Sequence, residues 1–227
     1  MNKSVSKISA VIFTKNEEKN ITDCIKSVKS FASEIIVIDM QSRDDTVRSA
    51  KFLGATVYSV EDHNWVEPVR NFGISKTKYE WILVLDADER VPLTLAKKFL
   101  EIIKEDRFDA VRIPYKVIFF KKWIKNTHWW PDCHVRFFRK GFVKWVVKIH
   151  PDIEVSGRVL ELEAVAKYAI VHENARDIKT WLNKIDHHTD YEDYFFNLKQ
   201  VTAQDILSRF RREFYWRYFE GKGYLDG

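Results

Sequence analysis

The chain has 227 residues, enough for one sizeable core or for a domain with an appendage. Hydrophobic residues make up 45% and charged residues 31%, which excludes a disordered chain, and no run of about 18 apolar residues offers a membrane span. A net charge of +5 and a pI of about 9.0 suit anionic partners (nucleotides, nucleic acid or acidic lipid) without choosing among them.

The opening stretch, MNKSVSKISAVIF, lacks the long apolar region and small-residue cleavage site of a secretory leader. The two cysteines, Cys24 and Cys133, form no CxxC pair. Reduced thiols, no structural zinc and a cytoplasmic chain are therefore expected. Ile8 to Thr14 reads as a buried strand. Ile21, Cys24, Ile25, Val28 and Phe31 then recur at helical spacing. Glu34 to Asp39 is the next strand. Asp44 to Leu53 follows as a helix, with Ser42 or Asp44 as N-cap and Gly54 as its stop. Ala55 to Val60 is a third strand, Glu67 to Ile74 a short helix with Pro68 in its first turn, and Trp81 to Asp86 a fourth, almost wholly apolar strand. A helix opening at Pro92 buries Leu95, Phe99 and either Ile102 or Ile103.

Strands apolar on both faces and spaced by helices imply a mostly parallel sheet covered on both sides, an α/β half over residues 1–110. Strand-like stretches follow at Ala110–Ile113, Val117–Phe120, Val135–Arg139 and Val165–Val171, within a 111–175 half of the same domain. Residues 176–227 read as a helical, basic-aromatic appendage.

In open α/β sheets ligands bind beyond the carboxyl ends of the strands. Here the first strand ends in Thr14-Lys15-Asn16-Glu17-Glu18, the second in Asp39, and the fourth in Asp86-Ala87-Asp88-Glu89-Arg90. Two carboxylates two residues apart can be aimed at one hard cation, Mg²⁺ or Mn²⁺, which is commonly held by one or two carboxylates plus substrate phosphates. Acidic pairs are also common on solvated turns. What favours a site is delivery by the strand WILVL to a rim that carries two more polar strand ends. Asp39 suits a hydrogen bond to a nucleotide base or ribose, or else serves as a loop acid. Glu17 suits the base, or is an exposed first-turn glutamate.

TKNEEKNI, IIVIDMQSRDDTVRSAKFLGATV and WILVLDADERV together resemble glycosyltransferase family 2. WVEPVRNFGISKTKYEW, WPDCHVRFFRKG and YFEGKGYLDG look like its subgroup of lipopolysaccharide inner-core glucosyltransferases. The resemblance implies a GT-A fold, a UDP-sugar-like donor, a divalent metal (Mg²⁺ or Mn²⁺) and inversion at the anomeric carbon. It implies that Asp39 binds the nucleoside, that Asp86 approaches ribose and metal, and that Asp88 ligates metal and diphosphate. Arg70 and Asn71 would lie near the donor, along with Thr14, Asn16 and Glu17; the other reading of Arg70 is a helix-surface ion pair.

Inversion needs a base for the acceptor hydroxyl. Many members of the family carry a Glu-Asp pair downstream, but this chain's later pair, Glu192-Asp193, falls far along, in a predicted helix. Asp132 in WWPDCHVRFF is the first candidate, on the expectation that bulky neighbours desolvate it; the other reading is a turn acid. His150 and Glu173 are runners-up. Arg136 and Arg139 either stabilise departing phosphate or alternate outward along a strand.

The tail RFRREFYWRYFEGKG mixes four arginines with six aromatics. It reads as a helix at an anionic membrane surface, which suits a glycolipid acceptor, or as a terminal helix docking on the core. The family tends to continue past GYLDG, so a further segment is expected there. Other readings are a sugar nucleotidyltransferase, a nucleic-acid-binding module and an inactive membrane scaffold. Against the first, no glycine occurs before Gly54 to make a phosphate loop; against the second, acids at the cleft would repel a phosphate backbone. The third keeps the fold without turnover, and liposome binding without donor binding would point to it.

Overall fold

The computed structural model describes residues 7–63, 65–146, 153–185 and 202–226. The chain forms two compact units, and it passes between them at Pro114/Tyr115, Asp132/Cys133 and Val171/His172.

The first unit is built on β1 (Ile8–Thr14), β2 (Glu34–Asp39), β3 (Thr56–Ser59) and β4 (Trp81–Asp86). Every residue of β1 is buried, as a central strand covered on both faces requires. The sheet runs β3-β2-β1-β4, with β1 parallel to both neighbours. After the two-residue β5 (Glu89–Arg90) come β6 (Ala110–Phe119), β7 (Lys122–Trp123) and β8 (Asp132–Arg139). β8 joins β4 antiparallel and β6 lies beyond it. β9 (Val143–Trp145) and β10 (Ile153–Val155) form a separate hairpin, β11 (Val159–Glu161) lies parallel to β6, and β12 is Ile170–Ala175.

Helix α1 (Ile21–Val28) buries Ile21, Cys24, Ile25 and Val28, the face that its spacing predicts. α2 (Thr46–Phe52) starts two residues later than expected, and Asp44 accepts from the Thr46 N–H at 3.0 Å. α3 (Glu67–Ser75) carries Pro68 in its first turn. α4 (Leu93–Glu105) buries Leu95, Ala96, Phe99 and Ile102, so Ile102 is the inward isoleucine. Trp81, Phe137 and Phe99 stack in series with centroids 4.7 and 4.2 Å apart.

Two elements differ from expectation. β6 is one ten-residue strand through Pro114, not two pieces. The proline falls where the chain leaves the first unit, and it removes only one donor from the ladder. The strand expected at Val165–Val171 begins at Ile170, because Ala166–Tyr168 forms a 3₁₀ turn and the Thr94 hydroxyl donates to the Lys167 carbonyl beside it.

In the second unit β7 folds back on β6 through Phe120 and Lys121, both at positive φ. Helical turns occupy 178–185, and a C-terminal helix spans Ala203–Tyr215. The chain end folds onto residues 125–127. There Asp226 accepts from the Asn126 N–H (2.8 Å) and side-chain amide (2.9 Å), and the Gly221 carbonyl accepts from the Thr127 N–H. No helix among the described residues is long and apolar enough to cross a membrane.

Candidate active site

Three neighbouring strands deliver the rim. Thr14 pairs with Asp39 across β1 and β2, and Phe13 pairs with Asp86 across β1 and β4. Strands lie roughly 4.8 Å apart, so the two aspartates bracket the tip of β1 at about twice that spacing. Pleating sends Thr14 and Asp39 to one face, and Phe13 and Asp86 to the other.

Asp39 is 2% exposed. Its Oδ2 accepts from the Ser42 N–H at 3.2 Å, while Oδ1 is buried with no hydrogen-bond partner among the described residues. The Thr14 hydroxyl, its register partner, is buried and unpartnered in the same way. Buried polar atoms are nearly always paired, so these two orphans, on register partners at the strand-end rim, are positions where a water or a polar ligand could bind.

The loops that follow are stitched together. Asn16 and Gln41 adopt left-handed backbone (φ 53° and 56°), and asparagine tolerates this. The Asn16 N–H donates to Ser42 Oγ and its side-chain oxygen accepts from the Arg43 N–H, both at 2.8 Å. The Glu17 N–H donates to Thr46 Oγ1, and the Glu17 carboxylate accepts from the Asn20 amide at 2.6 Å. Asn16 and Glu17 are thus at the rim, where their polar groups join the β1 and β2 loops.

Asp86 is the most heavily engaged acid. Arg70 Nη2 lies 3.0 and 3.1 Å from its two oxygens, and Arg136 Nη2 lies 3.4 Å from Oδ2. Arg136 also faces Glu89 at 3.6 Å, and Glu89 accepts from the Asp86 N–H at 3.0 Å. The Cys24 thiol donates to the Asp86 carbonyl at 3.6 Å from beneath. Burial alone would raise the Asp86 pKa, but the Arg70 and Arg136 guanidiniums outweigh it and hold the carboxyl below the usual aspartate range. The Asp86 side chain keeps 30% exposure, while Asp88 is buried.

Arg70 is 3% exposed, so it is no helix-surface ion pair. Its central carbon lies 5.0 Å from the Phe13 ring and 5.8 Å from that of Trp145. Nε and Nη1 have no hydrogen-bond partner among the described residues. Gly73 lets α3 sit close enough for this: a Cβ there would fall 2.7 Å from Phe13 Cζ. Asn71 turns away to β9, where it donates to the Trp145 carbonyl (2.8 Å) and accepts from the Trp145 N–H (3.1 Å).

Arg139 is a correction. It pairs in register with Trp81, at the opposite end of β4 from the rim, and binds Glu80 and Asp106. Asp132 opens β8 in the second unit and is exposed, so the expected desolvation is absent. Glu173 is half-buried in β12 of that unit. His150, Glu192 and Asp193 lie outside the described residues. The sequence put Glu89 on the rim without a role and gave Cys24 and Trp145 no place at the site. Glu89 had a signal, since an acid three residues after Asp86 can reach back to its N–H, as in a capping box.

Asp86 and Asp88 carry carboxylates, the ligand type a hard divalent ion takes. Both Asp86 oxygens face Arg70 in this structure, so an ion would share that carboxylate with the guanidinium, and the lowered Asp86 pKa keeps the group ionised as a ligand must be. No group of three or more possible protein ligands occurs among the described residues, so the remaining ligands would come from phosphate and water.

Residues 9–160 match the family described as Glycosyl transferase family 2. An uncharacterized glycosyltransferase of Rickettsia typhi is 31% identical over 195 residues, 79% of this chain and 64% of that protein. The prophage-derived glycosyltransferase SunS of Bacillus subtilis is 31% identical over 150 residues, 64% of this chain and 34% of its own length. The chain thus spans less than two thirds of either relative. Among solved structures, S. aureus TarS superposes with a TM-score of 0.55 at 17% identity, covering 92% of this chain and 43% of TarS, a likeness of fold.

Proposed function

This chain belongs to glycosyl transferase family 2 and has its GT-A fold, and from that premise we propose that it moves a sugar from a nucleoside-diphosphate sugar to an acceptor hydroxyl. The observation that carries the proposal is the buried, unpartnered Asp39 Oδ1 beside Thr14, one strand from Asp86 and its two arginines. Asp39 and Thr14 offer polar atoms to the nucleoside. Arg70 and Arg136 place positive charge where a diphosphate needs it. Asp86 and Asp88 would hold Mg²⁺ or Mn²⁺, which when bound neutralises charge on the diphosphate.

In the proposed reaction the acceptor oxygen attacks the anomeric carbon, a glycosidic bond forms, and the bond from that carbon to the diphosphate oxygen breaks with inversion. The hydroxyl proton passes to a carboxylate or imidazole of the chain. Asp132 is the first candidate by its place in the WPDCHVRFF segment, without the desolvation that would strengthen it as a base; His150 and Glu173 follow. Residues 1–110, joined by Arg136, supply the donor side, and the rest of 111–175 the acceptor side. UDP as the nucleotide rests on the resemblance to the family as a whole, and a glycolipid such as a lipopolysaccharide core as acceptor on the resemblance of WVEPVRNFGISKTKYEW, WPDCHVRFFRKG and YFEGKGYLDG to its inner-core glucosyltransferases. A sugar nucleotidyltransferase is disfavoured by the rim itself, where the β1 loop TKNEEKN joins the β2 loop through side chains instead of presenting a glycine cradle.

The test is a thermal-shift screen of nucleotide sugars with and without Mn²⁺, followed by assay of sugar release or transfer with the best donor. Stabilisation by one nucleotide sugar and metal together, with turnover lost in Asp88→Ala, is expected. Full turnover in Asp88→Ala, or no nucleotide sugar stabilising the protein, overturns the proposal.

A further inference from the structure

We infer that the C-terminal helix binds an anionic lipid surface, lying in the plane of the interface. The inference concerns where the protein works and goes beyond the reaction proposed above.

The helix Ala203–Tyr215, continued by a π-helical turn over Trp216–Glu220, starts at a signal of its own. Thr202 and Asp205 form a reciprocal capping box, with the Asp205 N–H on Thr202 Oγ1 and the Thr202 N–H on Asp205 Oδ2. None of its residues is buried. Its sequence is nonetheless amphipathic. Ile206, Phe210, Phe214 and Tyr218 recur every four residues, and Leu207 widens the stripe. The rings lie nearly parallel along it, Phe210 to Phe214 at 6.3 Å and Phe214 to Tyr218 at 5.1 Å. Ile206 and Phe210 stand 61% and 65% exposed. A capped helix with one continuous apolar stripe facing solvent calls for a partner.

Charge identifies the partner. The helix and its π-helical turn carry Arg209, Arg211, Arg212 and Arg217 against Asp205, Glu213 and Glu220. Arg217 pairs with Glu213 at 3.3 Å and Asp205 is held in the capping box, which leaves the run Arg209, Arg211 and Arg212 as the basic excess. Tyr215, Trp216 and Tyr218, with polar tips on apolar rings, sit among them and are exposed. Arginines beside an apolar stripe, with tyrosine and tryptophan at its edge, are the composition of helices that sink their apolar face to the headgroup boundary of an acidic bilayer.

A second element of the same unit repeats this chemistry. At the β6–β7 turn Phe120 and Lys121 both adopt left-handed backbone (φ 50° and 64°), which a bulky aromatic takes at a cost. The turn leaves Phe120 exposed between Phe119 and Lys121-Lys122, with Trp181 edge-on at 6.5 Å. The chain end then ties the helix to the segment after this hairpin: Gly221 bonds Thr127, Asp226 bonds Asn126, and Trp216 stacks on His128 at 4.2 Å. Helix and hairpin are thus linked parts of one basic-aromatic unit.

The test is co-sedimentation of the full chain with vesicles of phosphatidylcholine alone and with about one quarter phosphatidylglycerol. Binding at least roughly tenfold tighter to the acidic vesicles, weakened by added salt, is expected. Phe210→Ser combined with Phe214→Ser should abolish binding to both. Arg209→Gln, Arg211→Gln and Arg212→Gln together should remove the preference for acidic lipid. Neither set touches the rim, so nucleotide binding should persist in both, which separates this inference from the proposed reaction and checks the fold. Wild-type protein left in the supernatant with acidic vesicles overturns the inference, as does undiminished binding of the double serine variant. So does a lipid-independent dimer that the serine variant dissociates, which would assign the stripe to a second copy.

Discussion

One nitrogen of Arg70 lies 3.0 Å from Asp86 Oδ1 and 3.1 Å from Oδ2, while the central guanidinium carbon lies 5.0 Å from the Phe13 ring and 5.8 Å from that of Trp145. The pair joins α3 to the tip of β4 and fixes where the Asp86 carboxylate points. Arg70→Ala should leave the Asp86 carboxylate with Arg136 as its remaining guanidinium and remove the cation beside the Phe13 and Trp145 rings. The expected loss is roughly 2–4 kcal/mol, at the low end for breaking a buried pair because Asp86 keeps some exposure. Urea denaturation measures it, and wild-type stability in the variant would show that the pair is unimportant to the fold. Arg70→Lys keeps the charge but loses the planar fork, and should fall between the two.

The same pair predicts a pH dependence. The folded pKa of Asp86 lies below its unfolded value, because the arginines outweigh burial. The stability it contributes is therefore fully present above the ordinary aspartate value, about 3.9, and is lost as pH falls through the lower folded value. The gap in unfolding free energy between wild type and Arg70→Ala should be constant near neutrality and narrow below about pH 4. Paired urea titrations across that range test this, and a gap that widens in acid would contradict it.

Asp39 should behave in the opposite way, as a residue that costs the free protein stability. Its Oδ1 is buried without a partner, and a buried charged oxygen left unpaired is unfavourable. Asp39→Asn keeps an oxygen to accept from the Ser42 N–H and removes the charge. Its Tm should equal or exceed that of the wild type, while affinity for UDP with Mn²⁺ drops tenfold or more, the scale of a charge-assisted hydrogen bond of about 1.5–3 kcal/mol. Calorimetric titration beside a thermal melt reads both numbers. A large fall in Tm with unchanged UDP affinity would make Asp39 a structural residue.

The contrast among these residues shows what a sequence discloses. Strand ends are legible because an apolar run must stop where the sheet does, so Thr14, Asp39, Asp86 and Asp88 were placed at the rim by local pattern alone. The ties between them were not. Arg70 meets Asp86 across 16 residues and Arg136 meets it across 50, and no local spacing encodes that convergence. Asn71 sits next to Arg70 in the chain, yet one step around the helix turns it to the Trp145 backbone, so a motif shared in sequence separates into two jobs in space. Arg136 and Arg139 differ likewise, since three residues along β8 carry the second to the far end of β4. The 3₁₀ turn at Ala166–Tyr168 escaped because β-branched and apolar residues favour a strand until a turn with its own hydrogen bonds intervenes.

Gly73 offers the sharpest test of how the fold serves the rim. A methyl group at this position would lie 2.7 Å from Phe13 Cζ and 2.9 Å from Ile38 Cγ1, both closer than real Cβ contacts allow. Helix propensity favours alanine over glycine by about 1 kcal/mol, so an exposed glycine in α3 would gain from the change. Here overpacking opposes that gain at about 1–3 kcal/mol, and a net loss of stability is expected. The Phe13 ring cannot yield without disturbing Arg70, whose guanidinium lies 5.0 Å from it. Gly73→Ala should therefore lower both Tm and affinity for UDP with Mn²⁺, although residue 73 is itself buried in α3 and carries no side chain to bind a ligand. If Tm falls and nucleotide affinity holds, α3 moves as a body without carrying Arg70 away from Asp86, and packing at residue 73 is not coupled to the site.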